Sequence, residues 1–122
     1  MPRRLRLIGY WRNDFTYDWP DVLRWIDPDW EAAERALTVA YLRSGAFARR
    51  FWGSSTCRLC GIENGREELT DGEWLWPDGL AHYVEEHGVR LPDEFVAHAR
   101  ARYGKVAEEE IDRSWWRAQR AR

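Results

Sequence analysis

Two stretches decide how the chain is read: Cys57-Arg58-Leu59-Cys60-Gly61, and Leu80-Ala81-His82-Tyr83-Val84-Glu85-Glu86-His87-Gly88. The first presents two sulfurs from a single turn. The second carries a pair of histidines, with 21 residues between Cys60 and His82 and four between His82 and His87. Between the two stretches, Arg66–Thr70 and Glu73–Trp76 flank Asp71-Gly72, a hairpin signal. The order is knuckle, hairpin, helix.

Two cysteines and two histidines make a tetrahedral ligand set that suits zinc. Gly61 can take the positive φ that turns backbone N–H groups toward thiolates. Residues five apart on an ideal α-helix point about 140° apart. His82 and His87 therefore face one ion only if the helix tightens or unwinds at the second, and Gly88 permits that ending. Compact DNA-reading fingers place about 12 residues between their second Cys and first His. The longer gap here is filled by the hairpin, so the element is closer to a treble-clef-like finger. The alternative is a reduced cysteine pair in the core with two ordinary surface histidines. His98, on the following helix, is a spare that could replace one ligand. A thioredoxin-like reading of the Cys pair fits poorly, because Gly61 and a hairpin follow it rather than a helix.

Working outward, Arg4 to Trp11 reads as a short strand and Pro20 to Ile26 as a short helix. The strongest helix signal starts with Asp27 as cap and Pro28 in the first helical position. Its stripe is Trp30, Ala33, Leu37, Ala40 and Tyr41, and Ser44-Gly45 ends it. Ala46 to Trp52 is a helical turn or a loop. Pro77 or Asp78 starts a helix that ends at Gly88. Leu91-Pro92-Asp93-Glu94 opens another, with Phe95, Ala99 and Arg102 or Tyr103 on one face, that stops near Gly104. A last helix is expected from about Ala107 to Arg120, with Ile111 and Trp115 as its buried side. Trp74, Trp76 and Tyr83 are expected to form a small satellite core around the site.

The expected fold is α+β: one small, mostly helical domain over 1–122. Residues 1–54 form an N-terminal strand and helices, 55–90 the zinc-finger-like element, and 91–122 the C-terminal helices. No stretch approaches the ~18 apolar residues of a membrane span. The basic N-terminus (Arg3, Arg4, Arg6) precedes an apolar run, Leu7 to Trp11, too short for a signal peptide. A cytoplasmic location is expected, where the cysteine pair reads as a metal clip or a redox pair rather than a structural disulfide.

The net charge of −2 conceals a partition. Residues 1–58 carry ten positive and seven negative charges, 59–98 carry two and ten, and 99–122 carry seven and four. An acidic finger repels phosphates and suits a protein partner with a basic surface. Arg113, Arg117 and Arg120 with Trp116 offer nucleic acid a stacking, basic helix, or dock that helix on an aromatic core. An acid–base role for Glu67, Glu68, Glu73 and Asp78 requires them to converge on one pocket.

Cys57-Arg-Leu-Cys-Gly, Thr70-Asp-Gly, Trp76-Pro-Asp-Gly-Leu-Ala-His-Tyr-Val-Glu-Glu-His and Val89-Arg-Leu-Pro resemble segments of small bacterial proteins that have no assigned activity. The resemblance covers about a third of the chain and implies no function.

The expected function is therefore protein recognition by a small accessory or immunity-type module. Its Zn²⁺ is structural, bound by Cys57, Cys60, His82 and His87. The alternatives are a nucleic-acid-binding regulator using the basic ends, and a metal-dependent hydrolase or nuclease. HNH-type nucleases share a finger-like frame, but a good His-Asn-His arrangement is missing.

Overall fold

Trp76 is the centre around which the elements assemble. In the computed structural model it is fully buried on strand β4 (Trp74–Pro77), and its indole N–H donates to Leu42 O at 3.1 Å. Leu42 belongs to helix α1 (Ala32–Arg43). Phe95, on helix α3 (Asp93–Glu108), meets Trp76 edge-on with ring centroids 5.9 Å apart. Helix α2 (Leu80–His87) adds Leu80 and Val84 to the same core. Trp74 and Tyr83 join it too, so the expected satellite core is part of the main one. The structure describes residues 4–121. Arg3 and Arg122 lie outside that range, as do the side chains of 106–108.

The sheet has the order β1-β4-β3-β2. Strands β3 (Glu67–Thr70) and β4 form the antiparallel hairpin that Asp71-Gly72 signals, with Leu69 opposite Trp76 and Thr70 opposite Leu75. Strand β1 is only Arg6–Leu7, lying parallel to β4, so the expected strand to Trp11 is cut short. Strand β2 (Ala46–Arg50) occupies the segment expected as a turn or loop. Its residues are all exposed, and cross-strand pairing holds it: Arg50 meets Glu67, and Arg49 meets the buried Glu68. The knuckle, hairpin and helix thus sit within an α+β fold, as expected.

Several helix limits differ from expectation. Pro20–Ile26 holds only a 3₁₀ turn, Val22–Trp25, capped by Asp21. Helix α1 starts at Ala32 because Asp27 serves elsewhere. Asp27 accepts from Asp29 N and pairs with Arg90 at 3.0 Å, while Glu31 caps the helix by accepting from Ala33 N and Glu34 N. Its buried face is Thr38, Val39, Tyr41 and Leu42, whereas Ala33 and Ala40 are exposed. Helix α3 runs through Gly104, which stays helical and terminates nothing. The expected long last helix is only α4 (Ser114–Ala118), because Asp112 accepts from Ser114 N and starts a new turn. Ile111 and Trp115 are 71% and 68% exposed instead of buried. No helix among the described residues is long and apolar enough to cross a membrane.

Candidate metal centre

The knuckle is closed by its own backbone. Thr56 and Glu63 form an antiparallel bridge, Cys57 N donates to Ile62 O at 2.9 Å, and Gly61 N donates to Cys57 O at 2.9 Å. Gly61 has φ of 76°, the left-handed conformation that lets the chain double back. Leu59 N donates to Cys57 Sγ at 3.4 Å, which holds the turn against the sulfur. The two cysteines form no disulfide; Cys57 is buried and Cys60 exposed.

Both histidines come from α2. His82 lies in its first turn, with its backbone N–H donating to Gly79 O. His87 is its last residue, and Gly88 breaks the helix with φ of 65°. Val89 N then donates to Tyr83 O, and Asp27 N to Gly88 O, which fixes where the helix stops. This is the ending that the five-residue separation requires.

The four side chains meet. Cys57 Sγ lies 3.6 Å from His87 Nε2, and Cys60 Sγ lies 3.4 Å from His82 Nε2. One ligand atom from each of the four residues lies within 4.8 Å of all the others. This Cys₂His₂ group can hold a metal ion. His98 does not belong to it. Its Nε2 lies 2.7 Å from Asp71 Oδ2 and its Nδ1 3.3 Å from Glu73, under the hairpin turn.

No protein-family model matches the chain, and no curated protein or solved structure matches it either. The site therefore has to be read from its own atoms.

Sequence reasoning misses two residues that position the group. Tyr83, between the histidines, reads as core, yet its hydroxyl accepts from Arg58 N in the knuckle at 2.8 Å. Asn64 is buried and its Nδ2 donates to Gly79 O at 3.1 Å, clamping the start of α2 beside the returning chain. No spacing rule flags a tyrosine or an asparagine in such roles.

The four carboxylates weighed for acid–base chemistry are dispersed among different partners. Glu67 pairs with Arg50, Glu68 with Arg49 and the Tyr10 hydroxyl, and Glu73 with His98 and Arg102. Asp78 Oδ1 is buried without a hydrogen-bond partner among the described residues.

The charge partition is resolved within the fold. Arg6 pairs with Glu94, Arg43 with Glu85, and Arg102 with Glu73. With the cross-strand pairs of β2, half of the ten acidic residues of the central segment are matched by arginines from outside it.

Proposed function

We propose that Cys57, Cys60, His82 and His87 bind one zinc ion, and that the ion is structural. The carrying observation is the pair of sulfur–nitrogen distances, 3.6 and 3.4 Å. Zinc with sulfur at about 2.3 Å and nitrogen at about 2.0–2.1 Å separates those ligands by about 3.5–3.6 Å in a tetrahedron. Four protein ligands fill that tetrahedron and leave no position for substrate. The ion clasps the knuckle to α2, and the domain acts as a small recognition module.

Internal pairing of the central acids weakens the electrostatic argument for a basic partner surface. Aromatic groups also offer free surface: Phe15, Tyr17 and Trp52 are 94%, 73% and 103% exposed. Such rings serve as interface anchors. A second reading, nucleic-acid binding by the C-terminal segment, draws on the stacked Trp115 and Trp116, with ring centroids 6.3 Å apart, beside Arg113, Arg117 and Arg120.

Metal analysis of the purified chain tests the zinc reading. About one zinc per chain is expected, falling with melting temperature in Cys57→Ser and His87→Ala. A metal-free wild type of undiminished stability overturns it.

A further inference from the structure

One cavity, of about 420 Å³, lies where the loop after β1, the chain leading into the knuckle and the start of α2 meet. Six aromatic side chains line it: Tyr10, Trp11, Trp19, Phe51, Trp52 and Tyr83. Tyr10 sits between two of the others, its ring 6.0 Å from Trp19 and 6.4 Å from Phe51. Trp52 is 103% exposed, so folding gains nothing from its ring. Apolar surface of this kind at a concave site marks binding.

The polar groups narrow the ligand. Among the described residues Arg58 is the only charged one in the lining, in a chain whose acidic residues outnumber its basic ones by 21 to 19. Its backbone N–H is held by Tyr83, but among the described residues its guanidinium has no ion-pair or hydrogen-bond partner. Glu68 is outside the lining and is already held by Tyr10 and Arg49. Asn13 is in the lining; its Oδ1 accepts from Phe15 N, and its amide N–H groups have no partner among the described residues.

We propose that this cavity binds a nucleotide, its base against the aromatic faces and its phosphate on Arg58. Ring faces take a planar π-system of any base. A lone unpaired guanidinium takes a phosphate, which it can grip with two parallel hydrogen bonds. A cationic ligand would meet no carboxylate in the lining. The cavity's volume falls in the range of small-molecule sites, about 300–1,000 Å³. The proposal rests on the zinc reading only through Arg58, which rides on the knuckle between Cys57 and Cys60.

Calorimetric titration of the full-length, metal-loaded chain tests it. The probes are adenosine and uridine monophosphates, adenosine, inorganic phosphate and a short single-stranded oligonucleotide. Saturable binding of a monophosphate is expected. Arg58→Gln should weaken it by about tenfold or more while leaving adenosine unchanged. Trp52→Ala should weaken monophosphate and adenosine alike. Both side chains are exposed, so both variants should melt with the wild type, and a shared melting temperature makes the binding comparison valid. Equal affinity for oligonucleotide and monophosphate identifies the free nucleotide as ligand. An oligonucleotide affinity higher by about tenfold or more, still sensitive to both substitutions, identifies a strand. Absence of saturable binding by every probe, or a monophosphate affinity indifferent to Arg58→Gln, overturns the proposal. Zinc measured in the same sample keeps the two readings apart. Binding by zinc-free protein of undiminished stability sinks the metal reading alone, and zinc-loaded protein that binds nothing sinks the pocket alone.

Discussion

The phenol of Tyr83 accepts a hydrogen bond from the backbone N–H of Arg58 at 2.8 Å, joining α2 to the knuckle from the middle of the His82–His87 interval. It is a second clasp beside the four candidate ligands, and it needs no metal. Tyr83 is only 6% exposed, so removing its hydroxyl leaves the Arg58 N–H without a partner at a partly buried site. Tyr83→Phe is expected to cost about 1–2 kcal/mol, read as a lower melting temperature. Zinc affinity should fall as well, because the knuckle then samples orientations that do not face α2. An unchanged affinity would show that the clasp does not position the cysteines.

Removal of metal should be felt most at the knuckle. A strong chelator is expected to lower the melting temperature and to raise hydrogen exchange over residues 56–63, while the buried β4–α3 contact through Trp76 and Phe95 stays protected. Cys60→Ser and Cys57→Ser should both lose the ion. The buried Cys57 should show the larger loss of stability, since it also packs in the core. Protection factors that fall evenly across the chain would argue against a local role for the metal.

Asp71 gives the fold an acid limit. Burial pushes its carboxyl up. Hydrogen bonds from Tyr41, from the backbone N–H groups of Trp74 and Glu73, and from His98 outweigh that and hold it at about 2, below its ordinary 3.8. A group with a depressed folded value binds its proton more weakly in the folded state than in the unfolded state. Its stabilisation is therefore complete above the ordinary value and is lost as the pH falls from 3.8 toward about 2. Asp71→Asn is expected to cost about 1–2 kcal/mol at neutral pH and progressively less below pH 4. Thermal melts of both proteins across this range check it, and a gap that does not narrow in acid refutes the assignment.

The metal group was legible in the sequence because its chemistry is carried by residue type and spacing: Cys57, Cys60, His82, His87 and the helix-ending Gly88 all fall where those rules place them. Strand β2 was not, because Ala46-Phe47-Ala48-Arg49-Arg50 lacks β-branched residues and alternation, and its pairing comes from Glu67 and Glu68 on a distant strand. Helix α1 was displaced by one tertiary contact, the Arg90–Asp27 pair, which works with the Asp27 turn to leave capping to Glu31. The acidic centre misled for a similar reason. Counting charge along a chain cannot show that Arg43 and Glu85 meet across 42 positions.

That pairing separates two neighbouring glutamates. Glu85 accepts from both terminal nitrogens of Arg43, at 2.8 and 3.0 Å, whereas Glu86 is exposed. The pair is half-exposed, so water screens it and its contribution to stability is small. Glu85→Arg should lower stability slightly more than that, through like-charge repulsion with Arg43, and Arg43→Glu in the same chain should restore it. Glu86→Arg should be silent in a melt. A basic protein partner, if one is captured, should discriminate against Glu86→Arg more than it responds to salt-bridge loss at Glu85.

The C-terminal segment should be dispensable for folding. Helix α4 buries no residue, and Trp115 and Trp116 stack on each other while 68% and 73% exposed. Deleting residues 111–122 is expected to change stability by no more than about 0.5 kcal/mol, whereas Trp76→Ala should cost about 3–5 kcal/mol. Two exposed indoles beside three arginines bury nothing against the rest of the fold. If the segment is a stacking surface for nucleic acid, the same deletion should abolish a salt-dependent oligonucleotide shift without altering the melt. A deletion that lowers the melting temperature by several degrees would place the indoles in the fold and remove that argument for the second reading.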